Sequence, residues 1–457
     1  MERTVLAVDI GTSSLKAALV DARGTVVASA RVRFPETQRV ARDWMVALDE
    51  AARSLKTALC ASAGGAGHAA DKPAAIVISG NGPTLVSVHD QDIAFATSSA
   101  FAGDAGPVLM WNDPVGADAA ASEPSGESIF IPRLSAYKRK FSDHWDRARY
   151  ILSGPEYLIY ALTGNAVTIL PERRYENAYW TAESLSSAGL DGAKLAPFVT
   201  TGAIVGTVAR GWADFAFRGG DGFASLEPDG FLSAGIPVIA GGPDFIVALV
   251  GTGTMVAGTA CDRAGTSEGL NVCTAARVAH GGIRTLPAVA AGLWNASYLL
   301  PETGAAFHAW RLGTGQNARA YPEIMAEIEA SPIFPARGEP LHAGRAMVER
   351  IGFSVRRGIE TLERATGFKP TYVLSGGQAR NEIWNQMKAD ITGAPFALTA
   401  TPDGELMGDA VIGFAALGDY KTPQEAAARM VRITRRYEPD GERHAQYTEK
   451  YLINENT

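Results

Sequence analysis

Apolar and polar positions alternate in blocks along the first ninety residues. Val5–Ile10, Ala17–Asp21 and Val26–Ala30 are three short apolar runs joined by turns rich in Gly, Ser and Asp, which predicts three adjacent strands. Trp44, Leu48, Ala51, Leu55 and Leu59 then recur at helical spacing, predicting a helix over Asp43–Leu59. An Ala- and Gly-rich loop, Ala61–Ala70, leads to a buried-type strand at Ala74–Ser79. The loop Gly80-Asn-Gly-Pro83 and a strand at Leu85–His89 follow. Strands alternating with helices indicate an α/β architecture.

Residues 115–235 are less regular, and aromatic residues there predict a helix over Ser142–Leu162 stopped at Thr163-Gly164. Pro237–Gly242 starts a new buried strand and a helix begins at Pro243-Asp244, so the domain boundary is expected there. The expected domains are 1–243 and 244–457. The second half opens with strand material ending in Gly265-Thr-Ser267, and Leu270–Thr274 runs back. A helix is expected over Ala343–Thr366, with Ile351, Val355, Ile359 and Leu362 on one stripe. A strand at Thr371–Leu374 then runs into Gly376-Gly377, followed by a helix through Trp384, Met387 and Ile391.

At 457 residues the chain exceeds one ordinary core, and two domains are the prior. Its formal charge of −7, with no basic run, argues against a nucleic-acid partner. The three cysteines, Cys60, Cys261 and Cys273, lack metal-ligand spacing and are odd in number, which suits a reducing, cytoplasmic setting. The chain starts directly with a strand, so no signal peptide is expected. No apolar run approaches the roughly 20 residues that span a bilayer, and no membrane partner is expected.

The chemistry concentrates in a few short segments. Asp9-Ile-Gly-Thr-Ser-Ser-Leu-Lys16 is a strand ending in an acid, then a glycine, three hydroxyl residues and a lysine. Backbone N–H groups with Thr12, Ser13 and Ser14 can face an anion, and Asp9 can hold a hydrated Mg²⁺. Lys16 is either a phosphate contact or a solvated strand residue. Asp244, at a helix start, reads as a cap or as a general base. A strand running into Gly376-Gly377 can bring backbone close to a nucleotide, with Gln378 and Asn381 as polar contacts or helix caps. Trp111, Asn112 and Asp113 offer an aromatic face with amide and carboxylate groups.

In order along the chain, these pieces resemble the FGGY carbohydrate kinases of the actin-like ATPase superfamily, of the xylulokinase-like type. Asp9–Lys16 is similar to the first phosphate motif and Val108-Leu-Met-Trp-Asn-Asp113 to the substrate segment. Gly241-Gly-Pro-Asp244 resembles the segment with the catalytic aspartate, Gly265-Thr-Ser267 the second phosphate motif, and Leu374–Asn381 the adenosine motif. The resemblance implies an α/β fold of two ribonuclease-H-like domains with ATP and substrate in a cleft between them. It implies phosphoryl transfer from ATP, with Mg²⁺, to a hydroxyl of a free sugar or polyol, by default a pentulose such as xylulose. The implied roles are Asp244 as base and Asp9 at the metal. Thr12, Ser13, Ser14, Lys16, Gly265, Thr266 and Ser267 would meet phosphate, and Gly376, Gly377, Gln378 and Asn381 adenosine. Asn81, Trp111, Asn112, Asp113 and Asp244 would meet the acceptor. Partners are then the small molecule and, in one arrangement, a second copy of the chain as a homodimer.

The chain also departs from that pattern. Kinases similar to xylulokinase carry Gly-Gln-Met-His-Gly where this chain reads Gly80-Asn-Gly-Pro-Thr84, so Pro83 replaces a hydrogen-bonding histidine. Pro114 and Val115 stand where an arginine often follows the substrate segment. Asp262-Arg263 is expected to interrupt a strand that is usually apolar. The altered acceptor half leaves one alternative of the same fold, a catalytically silent sugar- or nucleotide-binding regulator. A second alternative is a chaperone-like or polymer-forming actin-like ATPase.

Overall fold

The structure is a computed structural model that describes residues 3–37, 39–62, 72–89, 105–115, 128–209, 231–336 and 342–455. Most of the expected loop Ala61–Ala70 and parts of the irregular middle lie outside the described residues. Compactness divides the chain into two units: Met1–Gly251 with Glu405–Met430, and Thr252–Gly404 with Val431–Thr457. Residues 244–251 and 405–430 therefore pack with the first unit, although the sequence boundary was drawn at 243.

The first unit is built on a six-stranded sheet. Its strands, with those of two small ribbons, are β1 (Thr4–Ile10), β2 (Ser14–Asp21), β3 (Val26–Arg33), β4 (Ala75–Gly80), β5 (Val86–His89), β6 (Ala148–Leu152), β7 (Thr168–Leu170), β8 (Phe198–Thr200), β9 (Ile204–Thr207) and β10 (Pro237–Pro243). The sheet order is β3-β2-β1-β4-β10-β9. β1 pairs antiparallel with β2, while β4 pairs parallel with both β1 and β10. The parallel strands read as unbroken apolar runs because both faces are covered: Val5–Val8 and Ala75–Ile78 are fully buried. On one face lie the helices Ala41–Ser62 and Gly154–Thr163, whose Trp44, Leu48, Leu55, Leu158 and Leu162 join the sheet's core.

The helix Gly404–Ala416 is tied to this unit by close glycine contacts. A Cβ on Gly408 would lie 2.0 Å from the Val247 carbonyl oxygen, and one on Gly413 would lie 2.8 Å from Val5 and Val77 side chains. The helix backbone packs directly on the Val247 carbonyl and on the Val5 and Val77 side chains, which explains why residues 405–430 leave the second unit.

The expected helix over Ser142–Leu162 is not continuous. A helix covers Ser142–Arg147, then Ala148–Leu152 forms β6 against β5, then a second helix covers Gly154–Thr163. The second helix has its own start signal. Ser153 and Glu156 form a capping box with Pro155 in the first turn, which helical periodicity alone does not reveal. Glu156 is fully buried, and burial pushes its carboxyl up to about 7 although it accepts from the Ser153 and Ile169 N–H groups.

The second unit carries a seven-stranded sheet, ordered β13-β14-β12-β11-β15-β16-β17. Its strands are β11 (Ala260–Ala264), β12 (Glu268–Thr274), β13 (Arg284–Pro287), β14 (Trp294–Leu300), β15 (Tyr372–Ser375), β16 (Phe396–Thr399) and β17 (Ile433–Tyr437). The helix Ala343–Thr366 occupies the expected range, with Val355, Ile359 and Leu362 in the core against Leu270, Val272 and Leu374. Among the described residues no helix is long and apolar enough to cross a membrane.

The Gly408 contact gives a stability prediction. Gly408→Ala forces the helix away from the Val247 carbonyl and is expected to destabilise the protein by about 1–3 kcal/mol, the usual range for overpacking. Urea unfolding measures it. An unchanged midpoint would show that the helix is not held by this contact.

Candidate active site

The strand register of the first unit delivers the acids and the hydroxyl turn. Asp9 pairs with Ser79 and Ile10 with Gly80, while Gly242 also pairs with Ser79 and Pro243 with Gly80. The C-terminal ends of β1, β4 and β10 therefore lie side by side, the edge at which open α/β sheets bind ligands. Asp9 ends β1, Asn81 follows β4, and Asp244 follows β10 at the start of the helix Asp244–Gly251.

The β1–β2 turn is short and well held. The Gly11 N–H donates to the Ser14 carbonyl at 2.9 Å, and the Phe34 N–H to the Ser13 carbonyl at 3.0 Å. Arg39 donates to the Thr12 carbonyl at 3.1 Å, and Arg31 to the Ser14 hydroxyl at 2.9 Å. Thr12 and Ser13 stay exposed, whereas Ser14 is buried. Lys16 faces Asp9 across the hairpin, with Nζ 3.2 Å from Asp9 Oδ2 and 3.8 Å from Glu405 Oε2. Lys16 is thus no solvated strand residue: it offsets the charge of a carboxylate that is only 2% exposed.

Two further acids meet at this edge. Glu405 is buried beside Lys16, and Asp409 is fully buried, accepting from the Ser79 hydroxyl at 2.7 Å. Burial, with Asp9 and Glu405 close by, raises the Asp409 carboxyl well above the ordinary range. Sequence reasoning missed both residues. The available signal was a pair of acids, Glu405 and Asp409, in the otherwise apolar stretch Glu405–Ala416.

The acceptor-type residues gather at the same turn. The Trp111 indole N–H donates to Thr12 Oγ1 at 2.9 Å, and Asn81 Nδ2 lies 3.4 Å from the same oxygen. Asp113 closes its own turn by accepting from the Met110 N–H at 2.9 Å, and Arg133 holds the Asp113 carbonyl. Asn112 is exposed beside them. Asp244 is half-buried, and its Oδ1 accepts from the Phe245 N–H at 2.7 Å.

In the second unit, the hairpin turn Gly265-Thr266-Ser267 joins β11 to β12. Three contacts grip it. The Gln378 amide donates to the Gly265 carbonyl at 2.9 Å, the Ala305 N–H donates to the Thr266 carbonyl at 3.0 Å, and Gly304 packs where a Cβ would lie 1.9 Å from the Gly265 carbonyl oxygen. Gly376, at φ +87°, approaches the Ala264 carbonyl so closely that a Cβ would sit at 2.4 Å. Trp384 Nε1 donates to Gln378 Oε1 at 3.0 Å, so both ends of that amide are engaged. Asn381 caps the helix Glu382–Thr392 by accepting from the Trp384 N–H. A 3₁₀ turn at Gly377–Arg380 stands between Gly376 and that helix. These groups border a cavity of about 870 Å³, whose apolar wall includes Phe307, Tyr321, Met325 and Trp384.

Asp262 does not interrupt β11. Asp262, Glu268 and Lys388 are all fully buried, with Lys388 Nζ 2.5 Å from Asp262 and 2.7 Å from Glu268. The cluster ties the helix Glu382–Thr392 to both strands flanking the 265–267 turn. Burial and the Glu268 charge push the Asp262 carboxyl up to about 8, while its two acidic partners raise the Lys388 ammonium. The sequence signal was again charge at apolar positions.

The chain is similar to several known proteins. The profile of the FGGY family of carbohydrate kinases, C-terminal domain, matches residues 327–417. The human FGGY carbohydrate kinase domain-containing protein is 36% identical over 108 residues, 24% of this chain and 20% of its own length. A Staphylococcus epidermidis xylulose kinase is 22% identical over an alignment covering 100% of this chain and 96% of that protein. The solved xylulose kinase from Rhodospirillum rubrum superposes with a TM-score of 0.76 at 19% identity, covering 99% and 98% of the two chains; this likeness shows the fold. The chain resembles the FGGY carbohydrate kinases, most directly over residues 327–417. Its α/β fold is that of the solved sugar kinases. The matched segment includes the helix Ala343–Thr366, the Gly376-Gly377 turn and Lys388.

The buried cluster predicts a pH dependence. Between the ordinary carboxyl value and about 8, folded Asp262 keeps a proton that the unfolded chain has lost. Stability from this group therefore falls as pH rises through that window, by at most about 1.4 kcal/mol per pH unit. Asp262→Asn, which cannot ionise, should flatten the dependence of the urea midpoint between pH 5 and pH 8. A variant as pH-sensitive as the wild type would contradict a protonated Asp262.

Proposed function

We propose that the protein transfers the terminal phosphoryl group of ATP to a hydroxyl of a free sugar or polyol. The observation that carries this reading is the shared register of β1, β4 and β10, which sets Asp9, the Thr12–Ser14 turn and Asp244 along one sheet edge. Phosphoryl transfer to an alcohol needs such an arrangement: donors around the phosphate, and an acid to orient the hydroxyl and take its proton late. In this reading Thr12, Ser13, Ser14 and Lys16 meet phosphate, as does the second turn Gly265–Ser267. Gly376, Gly377 and Gln378 lie against the nucleoside, and the apolar wall of the cavity takes its base. Asn381 contributes by capping its helix.

The metal proposed is Mg²⁺. Asp9 presents hard carboxylate oxygen, which suits Mg²⁺ held through water with the remaining ligands from phosphate. Bound there, the ion would neutralise phosphate charge. Among the described residues no group of three or more acidic, histidine or cysteine side chains is placed to cage a metal.

Asp244 is the proposed base. It stands at a helix N-terminus, where the Phe245 N–H fixes one oxygen, and in this reading the carboxylate orients the acceptor hydroxyl. The acceptor is by default a pentulose such as xylulose. Relatives named xylulose kinase support that choice, and Pro83 and Pro114 are where this chain departs from the acceptor motif it otherwise resembles.

ADP release across a panel of ketoses, aldoses and polyols tests the reading: one or more acceptors should stimulate turnover, and none doing so while sugar still binds would favour a silent regulator. Asp244→Asn should lower turnover about 10³-fold or more and leave ATP binding, read by calorimetry, near wild type. A variant retaining most activity would remove Asp244 as the base.

A further inference from the structure

The contacts around Thr12 close into a ring whose hydrogen-bond directions are fixed. The Trp111 backbone N–H donates to the Thr84 hydroxyl at 3.1 Å. Thr84, having accepted there, donates to Asn81 Oδ1 at 3.0 Å. That leaves the Asn81 amide NH₂ facing Thr12 Oγ1, at 3.4 Å. The ring returns to its start through the Trp111 indole N–H, which donates to the same oxygen at 2.9 Å. A backbone N–H and an indole N–H can only donate, and a flipped Asn81 amide would leave the hydroxyl hydrogen of Thr84, 0% exposed, with no acceptor among the described residues, so this polarity is the satisfied one.

The consequence falls on Thr12. A hydroxyl has two acceptor lone pairs and one hydrogen. Two N–H groups occupy the lone pairs, and among the described residues no acceptor takes the hydrogen. Thr12 is exposed, while Thr84 and Asn81 are 0% and 4% exposed, so the ring is anchored on its buried side and open at Thr12. Arg39 also holds the Thr12 carbonyl.

We propose that Trp111 and Asn81 are positioning residues for Thr12: they turn its hydroxyl into an obligate donor aimed outward at a phosphate oxygen of the nucleotide. This rests on the kinase reading above and deepens it. It assigns Asn81, whose amide is engaged at both ends, to the phosphate turn rather than to the acceptor. It gives Trp111 a task for its indole edge that is separate from any contact of its ring face with sugar. A pre-aimed donor loses no orientational freedom when phosphate arrives.

Calorimetry on the full-length protein tests this, with ATP and adenosine as probes. Trp111→Phe keeps the ring and removes the N–H. It should weaken ATP binding about tenfold, the worth of one charge-assisted hydrogen bond, and leave adenosine binding unchanged. Asn81→Ala should act in the same direction, and Thr12→Ser, which keeps the hydroxyl, should bind ATP like the wild type. In a Thr12→Val background, Trp111→Phe should have no further effect. The inference is overturned if Trp111→Phe binds ATP as the wild type does, if its loss adds to that of Thr12→Val, or if adenosine binding falls equally. A wild type that binds neither ATP nor adenosine would overturn the kinase reading and this inference together.

Discussion

The parallel pairing of β4 with both β1 and β10 is the constraint on which the first unit's chemistry depends. It sets three chain segments, distant in sequence, to end at one edge. The pairing is specified by apolar runs that must be buried on both faces, and a slip of one residue would turn every side chain to the other face. Asp9 and Asp244 share an edge because Val5–Val8, Ala75–Ile78 and Val238–Ala240 share a core. The helix Gly404–Ala416, seated through Gly408 and Gly413, brings Glu405 and Asp409 to the same place.

Both phosphate-type turns are held by groups outside the hairpins that bear them, by different means. The β1–β2 turn is fixed from its exposed side by neutral donors and Arg39. The β11–β12 turn is fixed from beneath by the buried Lys388–Asp262–Glu268 cluster. Burying three ionisable groups is a poor route to stability compared with apolar packing, yet the cluster joins the strands flanking the turn to the helix that follows the Gly376-Gly377 segment. Its value lies in fixing geometry: with Gln378 and Gly304 closing on the Gly265 carbonyl, the turn has little room to move.

Strand and helix positions were legible wherever burial imposes a simple period. The β1–β3 hairpins, β4, β10 and the helix Ala343–Thr366 appear where the sequence puts them, within a residue or two except at the ends of β2 and β3. Ser142–Leu162 was misread because β6 is five residues with aromatic and apolar content, which helical spacing absorbs until the Ser153–Glu156 capping box is noticed. The two exposed turns themselves could be placed from their Gly-Thr-Ser sequences. The buried charges could not: Asp262, Lys388 and Asp409 have partners 126 or 330 residues away, and no local pattern reports such pairing. Trp111 and Asn81 were read as sugar contacts by residue type, whereas the direction of each hydrogen bond becomes visible only once Thr84 and Thr12 stand beside them.

The most direct test of the central claim is a crystal structure with a non-hydrolysable ATP analogue and Mg²⁺. The account predicts a phosphate oxygen within hydrogen-bond reach of the Thr12 hydroxyl and of the N–H groups of the β1–β2 turn, at the edge where Asp9 ends β1. A nucleotide bound with its phosphates away from that turn would contradict it.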